Sequence, residues 1–296
     1  MSTDAAPNRF RFCAIADCHF SAVTVLASLG VIEDINNLAP DFTVVLGDIS
    51  GWPGAGGPEM TERAVKLLRG LKMPWRNIIG NHDIENRDIP TDRDNVMLWL
   101  RAHRYRLPWH REERGPLTFL FLSTERFREH AVQPHEIYLS PRQIRWADDE
   151  LRKCAGRPVV IACHAPPLGS NLLVNAELHI RAGNAYVNHN NMPGQIMELC
   201  ERHRNILFWF SGHSHLSQAH PNAIVQTDGI HFVHTGTPSP EQAREIRRHT
   251  RVVDVEPERV IIRTFDHDKR VLDSSLDFAI PHTLEHLLAA RRTKGK

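Results

Sequence analysis

No apolar run in this 296-residue chain approaches the roughly 20 residues that span a bilayer, so a membrane is not an expected partner. Neither sign of charge dominates, because 36 Lys and Arg stand against 35 Asp and Glu. Without a strong global field, nucleic acid and anionic surfaces are not expected ligands either. The short tail of Arg291, Arg292, Lys294 and Lys296 reads as a solvated terminus. Cysteine is scarce and odd in number, at positions 13, 18, 154, 163 and 200, with no framework spacing. That excludes a disulfide scaffold and leads to the expectation of reduced thiols in a cytoplasm. Met1, Ser2, Thr3 and Asp4 give way almost at once to a strand-like run, which leaves no room for a signal peptide. Gly/Ser linkers, low-complexity tracts and internal repeats are missing as well. One α/β domain over 1–296 is therefore the preferred organisation, with a core over about 10–265 and a C-terminal helix and basic tail over 282–296.

The composition that remains is 41% hydrophobic and 24% charged, ordinary for a soluble globular chain long enough to bury a substantial core. Short apolar, β-rich runs at 10–16, 42–46, 77–79, 117–122, 158–163 and 206–210 alternate with helix-like stretches near 21–37, 58–71, 141–155 and 193–203. Each run is too short for a helix, and the rhythm is that of βαβ units. Ser140 is placed to cap a helix with Pro141 in its first turn. After residue 230 the texture changes to consecutive strands at 231–234, 251–255 and 260–265. The last two flank Glu256-Pro257-Glu258-Arg259 and predict a hairpin.

Histidine is the abundant residue, at 19 copies, and it is the most versatile metal and proton ligand. The count alone decides nothing; position does. Five polar clusters each begin where a strand candidate stops: Asp17-Cys18-His19, Gly47-Asp48, Gly80-Asn81-His82-Asp83, His164, and Gly212-His213-Ser214-His215. In open α/β sheets, ligands sit beyond the carboxyl ends of the strands, so distant segments can deliver polar groups to one crevice. Residues i and i+2 of extended backbone point the same way. That predicts convergence of Asp17 with His19 and of His213 with His215, with Cys18 and Ser214 turned into the packing. Gly47, Gly80 and Gly212 permit tight turns or close backbone approach. The set offers two carboxylates, one amide and four imidazoles besides His82, enough for two metal ions if Asp48 bridges them.

Each piece also has a plainer explanation. Gly-Asn-His-Asp alone is a turn of ordinary turn formers, with Asp83 available to cap a following helix. Asp-x-His is a common accident, Gly-Asp after a strand is usually a turn, and His164 before Pro166-Pro167 fits a satisfied loop histidine. The conjunction of all five, in one order and each at a strand end, defeats those explanations together.

The ordered set DxH…GD…GNHD…H…GHxH resembles the signature of the calcineurin-like metallophosphoesterases, over residue 12 to about 237. The resemblance implies a four-layer α/β/β/α sandwich with a binuclear metal centre at the sheet edge, the late strands after 230 completing the second sheet. It also implies that Asp17, His19, Asp48 and His215 hold one metal, and Asp48, Asn81, His164 and His213 the other, with Asp48 bridging. His82 would stand beside the metals as the catalytic group, with Asn81 and His82 contacting substrate. Purple acid phosphatases carry a Tyr three residues after the bridging Asp, where this chain has Gly51, and Ser/Thr protein phosphatases continue with GDxVDRG, where it reads GDISGW. What remains looks like the compact bacterial branch of cyclic-nucleotide and glycerophosphodiester phosphodiesterases. Leu139, Ser140, Gln143, Trp146 and Leu151 are similar to that branch's helix before the HxPP strand, whereas its usual second His after the strand is Ala165 here.

The activity so implied is metal-dependent hydrolysis of a phosphoester, first of all a small-molecule or cyclic-nucleotide-type diester, by a hydroxide bridging the metals. Two divalent cations a few ångströms apart lower the pKa of a shared water. His82 would protonate the leaving oxygen, with Asp83 either orienting its ring or capping the next helix. Oxygen and nitrogen donors without thiolate suit Mn²⁺, Fe²⁺, Zn²⁺ or Co²⁺. Two long stretches are pocket candidates: 84–116 with Arg93, Arg101, Arg104 and Arg106, and 168–195 with Asn171, Asn175, Asn184, Asn188, Asn190 and Asn191. Plain surface, or a contact within a homo-oligomer, explains them as well. A phosphomonoesterase or a nuclease on the same site is the alternative activity, the nuclease disfavoured by the missing basic surplus and the lack of a long C-terminal capping region. A non-catalytic scaffold on the same fold is the alternative of another class, disfavoured because every ligand position is filled.

Overall fold

The structure is a computed structural model that describes residues 9–128, 136–172, 190–240 and 247–293. Asn175, Asn184, Asn188, Lys294 and Lys296 lie outside the described residues. The chain opens with β1 (Phe10–Ile15), α1 (Val25–Leu38), β2 (Phe42–Val45), α2 (Pro58–Leu68), β3 (Trp75–Asn77) and α3 (Asp92–His103). There follow β4 (His110–Arg114), β5 (Leu117–Leu122), α4 (Pro141–Lys153), β6 (Val159–Cys163), α5 (Pro193–Arg202), β7 (Ile206–Ser211), β8 (Ile224–Thr227) and β9 (Ile230–His234). The last elements are β10 (His249–Val255), β11 (Val260–Asp266), β12 (Val271–Leu272), β13 (Phe278–Ile280) and α6 (Leu284–Thr293).

Among the described residues these strands make two mixed sheets. The first runs β12-β11-β10-β1-β2-β3, with β13 also on β11, and the second β4-β5-β6-β7-β9-β8. The entire second sheet is thus inserted in sequence between β3 and β10 of the first. Period-2 alternation sorts the side chains of each central strand onto two buried faces. In β1, Phe12 and Ala14 join the core between the sheets, while Cys13 and Ile15 pack under α1 and α2 with Ile35 and Leu68. In β5, Leu117, Phe119 and Phe121 enter the same central core, while Leu120 and Leu122 meet Leu151 of α4 and Leu199 of α5. Because both faces are covered, these strands read as near-continuous apolar runs, broken by Arg11 and Thr118, rather than alternating ones. The result is four layers: helices, sheet, sheet, helices. Phe12 ties the two sheets by edge contacts at 5.3 Å to Phe119 and 5.5 Å to Phe210. Each such pair adds about 0.5–1.5 kcal/mol beyond area burial.

The hairpin after 250 forms as expected, with Val255 opposite Val260 and Arg259 Nε on Glu256 Oε2 at 2.6 Å. Ser140 caps α4 by accepting from the Gln143 N–H at 3.2 Å. Several elements differ from the sequence expectation, which foresaw none of β8, β12 and β13. The third strand ends at Asn77, so Ile78 and Ile79 are buried loop rather than strand. The stretch 84–116 contains a helix and a strand. Helix α3 begins where Thr91 Oγ1 accepts from the Asp94 N–H at 3.1 Å, and β4 is the charged edge strand His-Arg-Glu-Glu-Arg. No described helix is long and apolar enough to cross a membrane.

Candidate metal centre

The parallel strands β1, β2, β6 and β7 all deliver their chains to one edge of the sandwich, and the polar clusters lie in the loops that follow. The backbone there is not extended. Asp17, His19, Asp48, His213 and His215 have φ of 54°, 43°, 53°, 70° and 55°. These left-handed values correct the i, i+2 expectation: the side chains converge because each loop coils, not because it stays straight. Each such residue costs on the order of 1–2 kcal/mol, so the neighbourhood must hold it. It does so by cross-loop hydrogen bonds: Asp17 N–H to Gly47 O at 3.0 Å, His19 N–H to Asp48 O at 3.0 Å, and Thr237 Oγ1 to Asp17 O at 2.6 Å. Gly212 is required for the same reason, since a Cβ there would lie 2.3 Å from Asp17 Oδ2.

The loops bring together ligand atoms of Asp17, His19, Asp48 and His215, all within 4.8 Å of one another, and those of Asp48, His164 and His213 likewise. Asp48 belongs to both groups. His19 Nε2 faces His215 Nε2 at 3.3 Å, and His215 Nε2 lies 3.1 Å from Asp17 Oδ1. Donor atoms on one ion, each about 2.0–2.2 Å from it, are separated by comparable distances. Asp17, Asp48 and His164 are fully buried, and Asp48 Oδ2, His164 Nε2 and His19 Nδ1 make no hydrogen bond among the described residues. Asp48 Oδ2 and His164 Nε2 nevertheless face each other at 3.1 Å. A buried carboxylate oxygen and imidazole nitrogen this close are compensated by a proton shared between them or by a cation that both ligate. His164 Nδ1 donates to Leu46 O at 2.5 Å, which directs the Nε2 lone pair of the neutral ring at the cluster.

The electrostatics agree. Burial works to raise the Asp17 carboxyl, but His215 and His164 outweigh it and hold the group at about 2. For Asp48, burial is likewise outweighed, here by His164, His82 and His19, and the carboxyl lies well below its ordinary value. Burial works to lower His164, yet Asp48 and Asp17 raise it to about 9. Two buried carboxylates thus draw a second proton onto His164, and a cation would take that proton's place. The donor set fits two divalent ions.

Asn81 is fully buried, with φ −68° and ψ −36° at the head of a 3-10 turn, His82–Ile84. His82 therefore leaves Asn81 along a helical turn rather than on the opposite side of an extended chain. Its N–H donates to Asp48 Oδ1 at 2.8 Å, and its ring sits 5.4 Å from that of His19. Asp83 has neither role expected of it. Its carboxylate accepts from the N–H groups of Asp48 at 2.8 Å, Ile49 at 2.9 Å and Gly80 at 2.9 Å, knitting the second loop to the third. Burial and then Asp48 push that carboxyl up to about 6. The residue that holds the His82 ring is Glu85, whose Oε2 lies 2.6 Å from Nδ1. Sequence reasoning missed Glu85, and the signal was the i, i+3 spacing on a short helical turn. It also missed Trp52, whose indole packs against both His19 and His82.

The two pocket stretches fare differently. Arg93, Arg101, Arg104 and Arg106 are exposed on or just after α3. Asn171 Nδ2 bonds Thr227 Oγ1 and Asn191 Oδ1 accepts from the Leu139 N–H at 2.7 Å, both structural, while Asn190 is buried. The five cysteines are buried and free. A cavity of about 980 Å³ that includes Arg9, Phe10, Val255 and Pro257 lies at the opposite ends of the strands, away from every clustered Asp and His.

Fold and cluster together are those of a metallophosphoesterase-type sandwich with a candidate metal site, and the chain belongs to the calcineurin-like phosphoesterase family, whose pattern matches residues 10–217. It is 28% identical over 151 residues to a 3',5'-cyclic-nucleotide phosphodiesterase of Nostoc sp., an alignment that spans half of each chain. Among solved structures it is similar to a dimetal phosphatase from Danio rerio, with TM-score 0.64 and 15% identity over 94% of this chain and 100% of that one. Yellow lupin purple acid phosphatase PPD1 gives 0.64 and 10% over 96% and 56%. Plasmodium GAP50, described as the anchor in the inner membrane complex, gives 0.60 and 11% over 95% and 94%. At those identities the structures share the fold.

Proposed function

We propose that the chain is a metal-dependent phosphodiesterase that cleaves small-molecule diesters of the cyclic-nucleotide type. The observation that carries this is the pair of donor groups sharing Asp48, buried except for the half-buried His213, with His82 at their border. Asp17, His19, Asp48 and His215 would hold one ion, and Asp48, Asn81, His164 and His213 the other. Mn²⁺, Fe²⁺, Zn²⁺ and Co²⁺ all suit these donors. Bound there, two divalent ions supply neutralisation of phosphate oxygens and acidification of water. The chain's own residues do the rest. Asp83 fixes the backbone on which Asp48 rides, Leu46 sets the His164 tautomer, and Glu85 holds His82 by Nδ1, so that its Nε2 can carry a proton to the leaving oxygen. The diester preference draws on the activity for which the Nostoc relative is named and on the GDISGW sequence around Asp48.

The test is a substrate panel on protein reconstituted with Mn²⁺, Fe²⁺ or Zn²⁺: bis(p-nitrophenyl) phosphate, cyclic AMP, p-nitrophenyl phosphate and single-stranded DNA. The two diesters should turn over faster than the monoester and the DNA. Preference for the monoester would make the chain a phosphatase, and rapid cutting of DNA alone would make it a nuclease. Full metal loading without turnover of any substrate would point to a scaffold.

A further inference from the structure

Trp52 is 40% exposed, yet it touches the buried cluster. Its indole stacks on the His19 ring with centroids 5.2 Å apart and planes 15° apart, and meets His82 edge-on at 4.5 Å. With His19 stacked on one side, the rest of the ring opens onto a cavity of about 360 Å³, shared with Ala55, Glu85, Asn86, Arg87 and Phe127. That volume lies at the small end of ordinary ligand sites. The cavity adjoins Glu85 and hence the His82 side of the cluster.

Its walls are fixed in advance. Gly56, at φ 70°, lies so close to the third loop that a Cβ would stand 2.9 Å from Glu85 N. The Gly56 N–H donates to Ser50 Oγ at 3.1 Å, holding the Trp52 loop on its own side. Opposite, Asn86 O accepts from Arg128 Nη2 at 2.6 Å and from Asn95 Nδ2 at 3.0 Å. An indole face and an amide therefore border one opening beside the reacting groups, with the exposed Arg87 and Asp88 at its rim. An exposed indole binds planar π systems far better than aliphatic chains, and an amide with a guanidinium reads the polar edge of a heterocycle.

We propose that Trp52 is the specificity-determining wall of a subsite for a planar aromatic group, of the nucleobase class, carried by the substrate on its leaving-group side. The phosphate lies over the cluster, the ring stacks on the open part of Trp52, and Asn86 and Arg87 face its polar edge. The position of the phosphate rests on the phosphodiesterase reading; the stacking does not.

The experiment separates the two. Calorimetric titration of metal-loaded protein with adenosine monophosphate and with glycerol phosphate reads the subsite without turnover. Trp52→Ala should weaken adenosine monophosphate about 5- to 150-fold more than glycerol phosphate, the worth of one stacked base. Trp52→Phe, which keeps a ring, should recover most of that loss, so a folding defect in the alanine variant cannot masquerade as the effect. Equal weakening of both ligands in both variants, or no change in either, overturns the proposal. In the kinetic arm, Trp52→Ala should raise KM for bis(p-nitrophenyl) phosphate more than for glycerophosphocholine, and equal increases count against it. If the native protein cleaves no diester, the functional reading fails while the titration still decides the subsite.

Discussion

At the scale of single residues, the decisive pair is His82 and Glu85. His82→Ala should keep both ions and the fold, and slow an alkoxide-leaving diester by about 10²–10⁴-fold, the usual worth of general acid help. A nitrophenolate diester, which needs little protonation, should lose much less. Glu85→Gln should produce the same split at smaller amplitude, and should add nothing once His82 is gone, as expected for two residues acting as a unit. Equal losses on both substrates would assign His82 a structural role instead. Asp48 is the other test at this scale. Asp48→Ala should lose both ions by elemental analysis, whereas Asn81→Ala should weaken chiefly one, because a neutral amide contributes less than a shared carboxylate. Two ions retained in Asp48→Ala would sink the bridging assignment. The sequence showed which side chains meet at the cluster because their types and order are chemical facts that coiling loops cannot hide. It did not show Asp83 serving as a backbone acceptor, since that role depends on N–H groups that any residue carries.

Among the secondary-structure elements, the edge of the sandwich is built from loops in uncommon backbone conformations, and Gly212 sits where two of them touch. Gly212→Ala should displace the Asp17 carboxylate and lower ion occupancy. The overpacking should cost about 1–3 kcal/mol of stability, read as a fall in both metal content and melting temperature. Unchanged occupancy would show that the strand β7 loop can yield. Strands β1, β2, β5, β6 and β7 were legible because both faces are covered and nearly every position is apolar. Strand β4 was not, because an edge strand made of charged and polar residues carries no hydrophobic period. Helix α3 was hidden for a related reason: Asp92, Arg93, Asp94 and Asn95 open it with polar residues, and only the Thr91-x-x-Asp94 cap marks its start.

For the whole molecule, the candidate ligand groups would couple ion binding to the sandwich. Asp17, Asp48 and Asn81 follow strands of the first sheet, and His164, His213 and His215 follow strands of the second. An ion bound a thousand-fold above its dissociation constant stabilises the folded state by about 4 kcal/mol. Chelation should therefore abolish activity and lower the melting temperature by about 5–15 °C for a chain of this size. Scanning calorimetry with and without chelator checks it, and an unchanged transition would deny that the cluster binds cations in the native state. The insertion of the second sheet between β3 and β10 bears on birth at the ribosome. Strand β1 is complete as soon as Ile15 emerges, yet its antiparallel partner spans His249–Val255. Through most of synthesis the nascent chain must carry an apolar strand with one unpaired edge, a template for wrong partners. This places the greatest demand for chaperone protection early, on the N-terminal segment. It also means that chains stalled before residue 249 should be the aggregating species, however sound the finished protein is.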